Sequence, residues 1–192
     1  MPAWLCALFV AACGPPSKPT ATCDAGSCGP EVDAGPPAPV TLNELQDKIF
    51  SINCTTASCH SVDRAAGNLV LVTGQSFSQL VGVAADNPAA KGRGAVRVKP
   101  GSSELSFLWK KIVGPASDEG AQMPVGFTLT DAKLELIRRW IEGGVSCVPL
   151  DCAAIKKNCG MNDNGCGTQI DCGACPDVQQ TCGGGGVSGV CG

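Results

Sequence analysis

One histidine, three methionines, no tyrosine and an aromatic content of 4% narrow the chemistry open to this 192-residue chain. With His60 as the only imidazole, no metal site built on several histidines is available. The apolar run Trp4 to Ala12 is too short to cross a bilayer. Basic residues do not dominate either. Residues 41 to 146 carry eleven Lys or Arg against ten Asp or Glu, and the remainder three against seven, so no basic face exists for nucleic acid. So few aromatics also leave a domain of about a hundred residues thinly packed by side chains alone.

Cysteine, by contrast, is abundant: fourteen in 19.4 kDa. That is too many for a reducing cytosol, and it implies export. The N-terminus agrees. Val10-Ala-Ala-Cys13 closes the short apolar run in the manner of a lipoprotein cleavage box, which makes 1–12 a signal peptide and Cys13 the lipid-bearing residue. Residues 13–40 follow as a Pro-, Gly- and Ala-rich tether, with Asp24-Ala-Gly and Asp33-Ala-Gly repeated and Cys23 and Cys28 close enough to close a small loop. From 147 to 192, eight cysteines lie among glycines with few large apolar side chains, so disulfides must replace a core. Eight cysteines allow four bridges in 105 connectivities. Cys172-Gly-Ala-Cys175 reads as part of that framework rather than as a redox or zinc pair, and Asn162-Asp-Asn-Gly165 as a turn rather than half a calcium loop.

Between tether and tail, residues 41–146 form the part with helical periodicity. Thr41-Leu-Asn-Glu44 has the pattern of a capping box, in which hydroxyl and carboxylate each satisfy an orphan backbone N–H. Leu42, Leu45, Ile49 and Ile52 then recur at three- and four-residue steps, and the helix they define leads into Cys54. A second helix is expected from Ser103 to Ile112, with Leu105, Leu108, Trp109 and Ile112 on its buried stripe. A third follows Thr130, with Leu134, Ile137, Trp140 and Ile141 on one face and Gly143-Gly144 at its end.

The chemistry concentrates in Cys54-Thr-Thr-Ala-Ser-Cys59-His60. Two thiols followed at once by an imidazole are what covalent haem attachment needs: a thioether to each vinyl group and a nitrogen on iron. Four residues separate the cysteines, a wider spacing than the common two. Without haem, the same residues read as an ordinary disulfide beside an exposed histidine; zinc would lack a fourth ligand. The opposite face of such an iron is usually taken by a methionine sulfur. Met1 lies in the signal and Met161 in the tail, which leaves Met123, in Gly120-Ala-Gln-Met-Pro-Val-Gly126. Lys91, Arg93, Arg97 and Lys99 fall within nine residues with no acid among them. They read as a solvated loop, or as a group in which Arg97 or a neighbour pairs with a haem propionate or steers an acidic redox partner.

Taken in order, Cys54 to His60, Gly67-Asn-Leu-Val-Leu71, Leu80-Val-Gly82, Arg97-Val-Lys-Pro-Gly101, Leu105-Ser-Phe-Leu-Trp109, Met123-Pro124 and Leu129-Thr-Asp131 to Gly144 resemble a class I-type cytochrome c domain of the Cys-x4-Cys-His variant. The resemblance covers 41–146 and implies a mainly α fold: a cytochrome c-like helical haem domain, followed by a small, irregular, disulfide-rich module at 147–192. It implies heme c bound covalently through Cys54 and Cys59, with iron held by His60 and Met123. The wider cysteine spacing departs from familiar members. So does the lack of a proline shortly after His60 whose carbonyl could accept the second imidazole N–H, so the group that orients the ring is not assigned. A buried macrocycle would supply missing apolar surface, at about 25 cal/mol per Å² removed from water.

The function expected from these readings is single-electron transfer and not enzymatic turnover. The expected molecule is a monomer, exported and lipid-anchored through Cys13 at the periplasmic or outer-membrane surface, exchanging electrons with a protein donor and acceptor. Two other classes fit parts of the pattern: a surface binding or adhesion protein whose cysteine-rich tail recognises a ligand, and a haem gas sensor in which Met123 is displaceable.

Overall fold

The computed structural model describes residues 37–56 and 59–192. The signal peptide, Cys13, Cys23, Cys28 and the tether to residue 36 lie outside the described residues. Ala38–Gly192 form one compact unit.

The first helix starts as the sequence predicts, but its second half is wound differently. Thr41 caps α1 (Leu42–Leu45), its hydroxyl accepting the Glu44 N–H at 3.3 Å. Glu44 does not complete the box; its carboxylate takes Lys48 Nζ at 2.6 Å instead. The helix then continues as a π-helical segment, Gln46–Cys54, closed by the Thr55 N–H donating to the Phe50 carbonyl five residues back. This wider winding changes which side chains face inward. Leu42, Leu45 and Ile49 are buried as expected, Phe50 joins them, and Ile52 turns outward at 60% exposure.

Four further α-helices follow: α2 (Ser76–Leu80), α3 (Pro88–Gly92), α4 (Phe107–Val113) and α5 (Asp131–Glu142). The α4 helix begins four residues later than periodicity predicts. Ser106 Oγ donates to the Ser102 carbonyl at 2.7 Å and accepts the Lys99 N–H at 2.9 Å, so the serines hold a turn in place of a first helical turn. Leu105 is consequently exposed, and Phe107 and Ile112 carry the buried face. The α5 helix is the longest α-helix, with Ile137, Trp140 and Ile141 fully buried and Leu134 packed at their edge. It ends at Gly144, whose φ of +86° a glycine adopts without strain.

These observations correct the expected fold class: the protein is not a mainly α, cytochrome c-like helical bundle. Apart from α5, its α-helices run only four to seven residues, and extended backbone fills much of the space between them. The segments on either side of α3 lie beside each other. Gly82 N–H donates to the Val98 carbonyl at 3.0 Å, Arg97 N–H to Val83 at 2.7 Å and Ala85 N–H to Ala95 at 2.9 Å. The valines at 81, 83, 96 and 98 favour extended backbone, and glycines punctuate the helices around them. The main core lies within residues 40–145: α1 and its π-helical continuation, Leu71, Leu80, Val98, Ile112, Leu129 and α5.

The tail contains four disulfides, Cys147–Cys166, Cys152–Cys172, Cys159–Cys182 and Cys175–Cys191. It is not wholly irregular. The strands β1 (Met161–Asp163) and β2 (Gln169–Asp171) pair antiparallel, with Asn162 opposite Ile170. Residues 164–168 make the hairpin turn, so Asn162 and Asp163 of the expected turn lie in β1 instead. Asp163 Oδ1 accepts the N–H groups of Gly165 and Gly167, and Asn164 Oδ1 those of Cys166 and Thr168. The tail also touches the rest of the unit: the Asn43 amide both donates to and accepts from the Val148 backbone.

Candidate functional site

The π-helical segment delivers Cys54 to the rim of the core, where its half-buried side chain packs against the apolar cluster. Burial pushes the Cys54 thiol up from its ordinary 9.0 to about 12; the nearby Cys59 adds to the rise and Lys133 opposes it. Cys54 is therefore a protonated thiol at neutral pH, outside the disulfides. Cys59 follows a turn in which its N–H donates to the Thr56 carbonyl at 2.9 Å, and the Thr56 hydroxyl reaches its sulfur at 3.2 Å.

His60 is fixed at both backbone ends, its N–H donating to the Cys54 carbonyl and its carbonyl accepting the Leu71 N–H, each at 2.9 Å. Its half-buried ring places Nδ1 3.2 Å from the Leu69 carbonyl. A carbonyl can only accept, so this contact calls for the proton on Nδ1, and the Ala66 backbone is a second hydrogen-bond partner of the ring. Burial lowers the pKa of the ring, and the nearby Arg97 charge acts in the same direction. The ring-orienting partner that the sequence reading left open is thus a backbone carbonyl nine residues on. It is brought back by a tight turn in which Ala65, Gly67 and Asn68 all have positive φ.

Arg97 is buried, unlike a residue of a solvated loop. One terminal nitrogen donates to the Gln79 carbonyl at 2.9 Å and to the Gln79 side chain at 3.3 Å. The other donates to the Gly67 carbonyl at 3.2 Å and the Asn68 carbonyl at 2.8 Å. The basic group around it does not act as one patch. Arg93 pairs with Asp118 and Glu119 at 2.9 and 2.7 Å, while Lys91 and Lys99 are exposed.

Met123 is half-buried and held separately from the His60 loop. Its N–H donates to the Lys111 carbonyl at 2.7 Å, and Gln122 donates to the Ile112 carbonyl at 2.6 Å. Lys111 Nζ reaches the carbonyls of Glu119 and Ala121, tying the loop to the end of α4. The start of the same helix is anchored near Arg97, whose carbonyl accepts the Leu108 N–H at 2.8 Å. Both segments carry outward apolar side chains: Val62 beyond His60, and Val125 and Phe127 beyond Met123.

Three other features stand apart from this donor set. The sulfurs of Cys159, Cys175 and Cys191 lie within 4.8 Å of one another, but all three belong to disulfides and have no thiolate to offer a metal. Cys172 and Cys175 sit in different bridges, so they do not form a redox pair. A cavity of about 280 Å³ lies between the π-helical segment and the tail, lined by Ser51, Thr55, Val72, Thr73, Ala154, Ile155 and Lys156.

The Leu69 carbonyl, the Arg97 contacts and the Lys111 strap were all missed by motif reading. Gly67-Asn68, a pair suited to positive φ, was the one local signal of a turn returning to His60. No family model, curated protein or solved structure matches the chain. The likeness to class I cytochromes rests on its motifs alone.

Proposed function

We propose that the protein carries single electrons through a haem that Cys54 and Cys59 would attach and His60 and Met123 would hold through its iron. The observation that carries this reading is the state of the one histidine. Its Nδ1 lies 3.2 Å from the Leu69 carbonyl, and a ring held in this way by a backbone carbonyl would present Nε2 to iron. The donor set fits the group: an uncombined Cys54 thiol, a second cysteine beside the histidine, and a methionine held in a strapped loop. Ile52, Val62, Val125 and Phe127 are exposed apolar side chains in the segments that carry these donors.

When bound, such a haem supplies an iron that gains and loses one electron, with methionine ligation raising its potential. The chain's own part is to hold and orient. Cys54 and Cys59 would fix the group covalently, the Leu69 carbonyl keeps the His60 proton on Nδ1, and the Lys111 strap sets the Met123 loop. If His60 and Met123 both held the iron, the group would be suited to electron transfer without substrate turnover. Export and a lipid anchor on Cys13 would place the protein at the cell envelope, where a protein donor and acceptor would meet it.

The test is intact mass and a pyridine haemochrome spectrum on protein exported alongside a haem-attachment system. One covalently added haem is expected, stable to acid-acetone extraction, and absent in Cys54→Ala/Cys59→Ala. An unmodified mass in the presence of competent attachment machinery would rule the proposal out.

A further inference from the structure

We infer that Arg97 is a positioning residue for His60: by pinning the Gly67–Asn68 turn to α2, it holds the Leu69 carbonyl where it fixes the imidazole tautomer. This deepens the haem reading given above, yet it concerns the chain's own residues and can be tested without haem. Three observations carry it. The turn is short and holds positive φ at Ala65, Gly67 and Asn68, so it needs an external tie to keep one shape. The guanidinium supplies that tie from both sides, with Gln79 on one terminal nitrogen and the carbonyls of Gly67 and Asn68 on the other. The next carbonyl along, that of Leu69, is the acceptor for His60 Nδ1.

The Arg97 backbone is itself immobilised: its N–H donates to Val83 and its carbonyl accepts from Leu108. The clamp is therefore built on two packed segments and does not depend on a flexible stem reaching from the surface. A lysine could not reproduce it, because a single ammonium lacks the planar fork that reaches Gln79 and the turn together. Four part-buried hydrogen bonds from one cation also offset the cost of burying its charge.

The experiment uses the full chain produced without haem attachment, with the imidazole nitrogens of its single histidine followed by 15N NMR. In the wild type, the neutral ring is expected with its proton on Nδ1. Arg97→Gln should shift the tautomer ratio toward Nε2–H by about tenfold, the weight of one hydrogen bond of about 1.4 kcal/mol. Arg97→Lys, which keeps the charge and most of the stem, should lie between the two, and it serves where the glutamine variant does not fold. A wild-type ring in the Nε2–H form that unrestrained histidine prefers would overturn the inference, as would a ratio unchanged in Arg97→Lys. In haem-loaded protein the same variants should shift the reduction potential while haem stays attached. Failure to load haem in any variant counts against the electron-transfer reading and leaves the tautomer result standing.

Discussion

Cys54 departs further from its free amino-acid chemistry than any other residue of the candidate site. Its thiol is pushed up to about 12, chiefly by burial. The fold favours the protonated form, so the stabilising contribution is intact below the ordinary value of 9.0 and is lost as pH rises from there toward about 12. In the haem-free chain, the urea midpoint should fall more steeply between about pH 8.5 and about pH 10.5 for wild type than for Cys54→Ala. Equal slopes would show that the thiol is not buried. The same burial should slow alkylation of Cys54 by about a thousandfold at pH 8 relative to an open thiol, because only the thiolate reacts. Cys54, Cys59 and His60 were legible as candidate residues because thiol and imidazole chemistry follows from residue type alone. The Leu69 carbonyl was not, since a backbone acceptor leaves no signature in residue identity.

Among the elements, α5 was the most legible and also carries much of the core. Its apolar stripe has the helical period, and Trp140 at its centre is fully buried, with Nε1 donating to the Ser146 carbonyl at 2.9 Å. Trp140→Ala should cost about 3–5 kcal/mol in chemical denaturation, from lost burial and the cavity left behind. Trp140→Phe keeps most of the ring but loses the hydrogen bond and should cost less. A loss under about 1 kcal/mol for the alanine variant would show that the helix is not packed as described. The other helices were harder to read. Periodicity alone did not reveal the π-helical winding that exchanges Ile52 for Phe50 in the core, or the serine turn that delays α4 to Phe107. Both depend on hydrogen bonds to backbone partners outside the repeating pattern.

At the scale of the whole molecule, covalent bridges and an apolar core divide the work of stabilisation. The tail's four disulfides close sequence separations of 19, 20, 23 and 16 residues. Loops of this length restrict the unfolded chain by about 3 kcal/mol each. The double variant Cys159→Ala/Cys182→Ala should therefore lose about 3 kcal/mol, measured as a lower urea midpoint in the oxidised protein. An unchanged midpoint would mean that the tail unfolds apart from the transition being followed. The two regions meet at close quarters: a Cβ on Gly165 would lie 3.0 Å from Leu150 and 3.3 Å from the Gly74 backbone, a fit that requires glycine. This contact joins residues 91 positions apart, and no local pattern announces it.

By itself, the amino-acid sequence determined the chemical inventory: a thiol-rich chain suited to an oxidising compartment, one histidine beside two cysteines, one methionine within 41–146, and a tail whose missing apolar residues demanded disulfides. These follow from residue type and short spacing, which fix what a side chain can do wherever it lies. Tertiary structure alone decided which of the 105 connectivities the tail takes, that short helices and extended segments replace a helical bundle, and that a buried arginine clamps the turn behind His60. Those outcomes depend on contacts between residues distant in the chain, and above all on backbone carbonyls. Every residue possesses a carbonyl, and only folding decides which of them a particular donor will meet.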